Sequence, residues 1–183
     1  MKKLQRRFTL VEILMVAAMI CLIMAVILIA YNGVYRSWAS GNTAAVMKSA
    51  QLPLDKYKQE NNGVYPAGKG TLGSIVHDKE TLKKELLQAC SPLSYMNGNT
   101  LQIFDDFGDK PPKTPQEIYY ISPLESRNTF MLMSMGKDGE WGGDDDIIFL
   151  PHGHDGHNLR SGFYVCNVNE DGTITGEIEP MAQ

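Results

Sequence analysis

Cysteine is scarce in this sequence, with 3 residues in 183. A disulfide framework is therefore excluded as the main source of stability, and a packed core has to supply it. A basic surplus is missing too. The net charge of −4 leaves no overall positive field for gripping nucleic acid. Also absent are a serine-nucleophile motif, a phosphate loop, a flavin fingerprint, a His-Glu-x-x-His helix, EF-hand spacing and any internal repeat. Acid is sparse early and dense late: residues 1–100 sum to +6 and residues 101–183 to −10. The second half is thus suited to cations or to plain solubility. At 43% hydrophobic and 21% charged, the composition is globular rather than disordered. The length fits one domain plus an extra element.

Charge is missing altogether from Ile13 to Tyr35, and Ile13–Tyr31 is apolar at almost every position. At about 1.5 Å per residue this run makes roughly 28 Å of helix, close to the hydrocarbon thickness of a bilayer. A buried core helix would usually carry a polar stripe, and none is present. A secretory signal has a shorter apolar region, about 7–15 residues, and Ile29-Ala30-Tyr31-Asn32 is a poor cleavage site. The pattern predicts a membrane-spanning helix. Lys2, Lys3, Arg6 and Arg7 precede it, so the N-terminus is expected in the cytoplasm and everything after Tyr35 across the membrane. Glu12 sits at the start of the apolar run, either as an interfacial charge or as a carboxylate that needs a partner.

The basic leader, the run Phe8-Thr9-Leu10-Val11-Glu12 and the unbroken apolar helix together resemble the class III signal of type IV pilins and type II secretion pseudopilins. The resemblance implies a leader at 1–7, a transmembrane and assembly helix at 8–35, and an extracytoplasmic pilin-like globular domain at 36–183. It implies cleavage between Arg7 and Phe8 by a prepilin peptidase, with methylation of the new amino group. It also implies that Glu12 pairs with the N-terminal amine of a neighbouring subunit during assembly. Arg7 stands where the family has Gly, and Ile29 where it often has a helix-breaking Pro.

Past the apolar run, Val34, Trp38, Ala45, Met47, Ala50, Leu54 and Tyr57 recur at spacings that favour one helical face. Gly41 and Pro53 mark bend points, and Asn61-Asn62-Gly63 marks the stop. A second helix is expected over Thr81–Cys90, with Thr81 as N-cap. Strands are expected at Ile118–Ile121, Thr129–Met135, Ile147–Leu150, Gly162–Asn167 and Thr173–Glu177. The expected fold class is α+β: a long N-terminal helix, half transmembrane and half amphipathic, packed on a small antiparallel sheet. Leu54–Pro66, and Asp105-Asp106-Phe107-Gly108 before a Tyr-rich strand, resemble the matching stretches of major pseudopilins.

Between two expected strands lies a dense acidic loop. Five acids and three glycines fall between Asp138 and Asp146, with Gly136 just before them. Carboxylates this close repel unless a cation or solvent intervenes. Hard oxygen ligands on a flexible loop suit Ca²⁺, and a solvated acidic turn is the alternative. Ser-x-Gly-x-Asp-Gly, a spacer and Asp-Asp-Ile are similar to the calcium loop of the major pseudopilin. That resemblance implies a carbonyl ligand from Met135, a side-chain ligand from Asp138, and the rest from among Asp144, Asp145 and Asp146.

His152, His154 and His157 crowd near Asp155, each beside a glycine. Such a tract suits either a transition metal or an exposed surface loop, the latter favoured by the glycines. Cys21 reads as a small apolar filler in the span, while Cys90 and Cys166 are a pair that could bridge. The resemblance as a whole implies a structural protein rather than an enzyme: a calcium-stabilised pseudopilin of type II secretion. Its implied setting is the inner membrane, single-pass, with the domain in the periplasm and a periplasmic filament after assembly. The implied partners are copies of itself, other pseudopilins, the inner-membrane assembly platform, the peptidase and the membrane, with no nucleic acid. A type IV pilin of a surface filament is the nearest alternative. A membrane-anchored metal-dependent hydrolase using the acidic and histidine loops is the alternative of a different class.

Overall fold

The computed structural model describes residues 9–107, 116–124 and 128–181. Arg7 and Phe8, the expected processing point, lie outside the described residues, as do Gly108 and the Pro-rich stretch 111–115. The chain divides into two units, Met1–Ser37 and Trp38–Gln183.

In the first unit, Thr9 opens helix α1 (Leu10–Glu60). The Thr9 hydroxyl accepts the Glu12 N–H at 3.3 Å, and Glu12 Oε2 accepts the Thr9 N–H at 2.8 Å and its hydroxyl at 2.9 Å. This reciprocal capping box satisfies donors that every helix start leaves open. Leu10–Tyr31 has a mean hydropathy of 3.2 with none of it buried. Among the described residues it is the one helix long and apolar enough to cross a membrane. A core helix would bury such side chains, yet Leu22 is 68% and Ile29 77% exposed.

In the second unit, α1 changes character. Ala39, Thr43, Val46, Met47, Ala50 and Leu54 are buried at spacings of three and four, the period of a packed helical stripe. Met47, Ala50 and Leu54 fall on the buried face as the sequence suggests, and Tyr57 packs against it. Trp38, Ala45 and Val34 do not; all three are exposed. The stripe starts from Ala39, and one residue turns a side chain about 100° around the axis, which swings Trp38 outward. Gly41 and Pro53 both lie inside the continuous helix. The end falls as expected. Asn62 and Gly63 take φ of 55° and 78°, and Gly63 N–H bonds to Lys58 O at 2.8 Å.

Then follow β1 (Gly68–Thr71), α2 (Leu72–Ile75), α3 (Glu80–Ala89), β2 (Ser94–Asn97), β3 (Thr100–Ile103), β4 (Tyr119–Ser122), β5 (Met131–Ser134), β6 (Asp146–Leu150), β7 (Gly162–Val168) and β8 (Ile174–Pro180). Six strands form one antiparallel sheet in the order β1-β4-β5-β6-β7-β8, and β2 pairs with β3 separately. The fold is α+β, as expected. Thr81 is not an N-cap: α3 starts one residue earlier, with Lys79 at the cap position and no side-chain capping bond. Lys83 on α3 is 2% exposed, and its ammonium reaches Glu80 Oε1, Asn99 O and Asn99 Oδ1 at 2.5, 3.1 and 3.2 Å. It ties α3 to the β2–β3 turn.

Strand alternation splits the core over two faces of the sheet. Tyr120, Leu132, Ile147 and Phe149 join the α1 stripe in one cluster, whereas Ile121, Met131, Met133, Ile148 and Leu150 form the other. That division also parts the two cysteines that could bridge. Cys90 belongs to the first cluster and Cys166 to the second, and both are free thiols. Burial pushes each thiol up to about 12, so neither is a ready nucleophile.

Candidate functional site

The acidic segment is the hairpin loop between β5 and β6, where Ser134 faces Ile147 across the ladder. Both strands are buried throughout, so the loop leaves a rigid base. Gly136 sits at φ +64°, and a Cβ there would lie 2.1 Å from the Asp145 carbonyl oxygen. Only glycine fits so close a backbone approach.

Each of three aspartates has one oxygen tied by backbone N–H groups. Asp145 Oδ2 accepts Lys137 N–H at 2.8 Å and Asp138 N–H at 3.3 Å. Asp138 Oδ1 accepts Glu140 N–H at 2.9 Å. Asp146 Oδ2 accepts Gly142 N–H at 3.0 Å and Val168 N–H at 3.1 Å. The remaining oxygens tell more. A Cβ on Gly143 would lie 2.5 Å from Asp138 Oδ2 and 3.0 Å from Asp145 Oδ1, so these two oxygens converge above that glycine. Asp146 is 0% exposed, and its Oδ1 is buried with no hydrogen-bond partner. Asp144 is exposed and takes no part in these bonds.

An orphaned carboxylate oxygen is costly, and the chemistry responds. Burial pushes the Asp146 carboxyl up to about 6, against the pull of the Val168 and Gly142 N–H groups, with Asp138 and Asp145 adding repulsion. Among the described residues, no group of three or more His, Cys, Asp or Glu side chains is placed to hold a metal ion. A cation here would need backbone carbonyls, such as that of Met135, as well as carboxylates.

Two supports escaped the sequence reading. Asp105 is 2% exposed, and its Oδ2 accepts the Ser134 hydroxyl at 2.6 Å. Ser134 Oγ in turn accepts Gly136 N–H at 3.2 Å, which pins the start of the acidic loop. Burial, the largest influence, pushes the Asp105 carboxyl up to about 6. The second support is Asn167, whose amide donates to Gly142 O at 2.5 Å. Nothing in the local sequence signals either contact, because both partners are distant in the chain.

At the other candidate positions the outcome is mixed. Glu12 is engaged within its own chain by Thr9; the Thr-x-x-Glu pattern was there to be read. The histidines divide. His152 is exposed and its Nε2 lies 3.0 Å from the Tyr65 hydroxyl, which gives its single proton to Asp55 Oδ1 at 2.5 Å. His154 is only 6% exposed and its ring lies 5.0 Å from that of His157. The expectation of a bland exposed loop therefore fails at His154, which a short antiparallel bridge to Leu159 draws inward. No protein-family model, curated protein or solved structure matches the chain.

Proposed function

We propose that the chain is a structural, non-enzymatic subunit of a type II secretion pseudopilus. The observation that carries this reading is helix α1, whose first 22 residues expose an apolar surface all round and whose later turns bury a stripe. An apolar cylinder of that length is stable in lipid or against other such cylinders. In this reading it waits in the inner membrane with the N-terminus cytoplasmic and the domain periplasmic, and then packs with copies of itself into a filament core. The leader ends at Arg7, Phe8 becomes the methylated N-terminus, and the peptidase, the assembly platform and other pseudopilins are the partners.

The capping box refines the role of Glu12. It holds the carboxylate at the helix start before assembly, and the amine of a neighbouring subunit then supplies the opposite charge. The acidic loop holds Ca²⁺ in the same reading. Asp138 Oδ2 and Asp145 Oδ1, which converge over Gly143, are its carboxylate ligands beside the Met135 carbonyl, and the ion supplies positive charge that offsets their crowding with the orphaned Asp146 oxygen. Asp144, being exposed, is left to solvent.

Glu12→Gln tests the assembly claim cleanly, because glutamine also serves in a capping box but carries no charge. The variant should insert in the membrane as the parent does and fail to polymerise. Filaments of normal number and length from Glu12→Gln would remove the proposed pairing.

A further inference from the structure

Asp105 and Asp106 are adjacent in sequence yet are held by different parts of the second unit. Asp105 reaches the acidic loop: its Oδ2 takes the Ser134 hydroxyl, and Ser134 Oγ takes Gly136 N–H. Its Oδ1 accepts the N–H groups of Phe107 and Gln116, each at 3.4 Å, so the carboxylate is oriented from both sides. Asp106 reaches helix α1. Its N–H donates to the Thr43 hydroxyl at 3.1 Å, and its Oδ2 accepts the Asn42 amide at 2.7 Å. Thr43 is 0% exposed, and Phe107, the next residue, is buried in the cluster that contains the α1 stripe. A displacement of Ser134 therefore has a short, hydrogen-bonded route to one turn of α1.

We propose that the Asp105–Asp106 pair links the acidic loop to helix α1, so that cation binding at the loop is felt at the turn carrying Trp38, Asn42 and Thr43. The link rests on the calcium reading for its trigger, though not for its existence. Asp105 is a positioning residue in this scheme; it orients Ser134, the last residue of β5, directly before Met135 at the start of the loop.

The two tryptophans stand at opposite ends of the link. Trp141 lies in the acidic loop, 5.2 Å from Tyr119, while Trp38 shares a surface groove with Asn42 and Asp106. The full chain in detergent, as Trp38→Phe and separately as Trp141→Phe, leaves one reporter at a time for a Ca²⁺ titration followed by fluorescence. Both reporters should respond with one midpoint. Adding Ser134→Ala should weaken Ca²⁺ binding about tenfold and silence Trp38. Leu86→Ala, a core truncation in α3, should lower thermal stability without moving either response.

A Trp38 that stays silent while Trp141 responds would overturn the link, as would an unchanged midpoint in Ser134→Ala or an equal loss in Leu86→Ala. If neither reporter of the parent responds to Ca²⁺, the calcium reading fails separately. The link is then judged without cation: Ser134→Ala must still shift Trp38 emission relative to Leu86→Ala, and identical spectra would overturn it.

Discussion

The two stretches of α1 use the same kinds of residue to opposite ends. From Leu10 to Tyr31 apolar side chains point in every direction and none is buried; from Ala39 to Leu54 a narrow stripe is buried, and Leu52, beside it, is 77% exposed. Hydrophobicity alone does not separate a helix made for the domain core from one made for lipid or for other helices. The breadth of the apolar surface does. A stripe binds one partner face, whereas a full cylinder needs an apolar surrounding on all sides.

Truncation should show the contrast at its largest. Leu54→Ala removes a side chain with 0% exposure and should cost about 2–5 kcal/mol in denaturant unfolding of the domain. Leu22→Ala, at a site 68% exposed, should leave that transition unmoved. A similar loss for both would mean that the apolar segment is core after all. Charge insertion reverses the roles. Ile20→Lys should oppose membrane insertion by about 2.5–3.5 kcal/mol, read as a shift from the membrane to the soluble fraction. Leu52→Lys should change neither fractionation nor stability by more than about 0.5 kcal/mol.

Acidity sharpens the comparison further, because the second unit carries two buried carboxylates with raised affinity for protons. Asp105 and Asp146 are both pushed up to about 6 from the ordinary 3.8, so the folded state keeps protons that the unfolded state has released. Without divalent cation, stability should therefore fall as pH rises from about 4 to about 6 and then level off. Asp105→Asn should flatten part of that slope, and Ca²⁺ should remove the share due to Asp146. A stability that rises over that window in Asp105→Asn and parent alike would contradict the assignment. A purely local effect belongs to the helix start. Thr9→Ala breaks the capping box and should speed amide exchange in the first turn, worth about 1 kcal/mol, with the domain untouched.

What the sequence disclosed follows from how local each signal is. The apolar cylinder, the Asn62–Gly63 stop and five strands are written in runs of neighbouring residues, and they were readable. The buried stripe was misplaced at its first turns because Ala39 and Thr43, small or polar, carry little hydrophobic signal, while Trp38 carries much. Strand β1, Gly-Lys-Gly-Thr, has no apolar alternation; it is a strand only because β4 offers it an edge. The β2–β3 hairpin, which turns at Gly98–Asn99, is not among the expected strands, although that dipeptide is a hairpin signal. In the acidic loop, Asp138 and Asp145 were identifiable as a group, but the sequence ranked Asp144 with them. The backbone separates them, leaving Asp144 exposed and Asp146 buried. Asp105 under Ser134, and the two sheet faces that part Cys90 from Cys166, depend on tertiary pairing and had no local mark.

The claim that matters most is that the exposed cylinder exists to pack against its own copies. Electron cryomicroscopy of filaments isolated from cells that make the full chain tests it directly. The account predicts a central bundle of Leu10–Tyr31 helices from successive copies, with the sheet domains outside and Glu12 facing the start of a neighbouring chain. Filaments joined through the sheet domains with Leu10–Tyr31 missing from the core, or a full-length chain that stays monomeric in the membrane beside its assembly machinery, would contradict it.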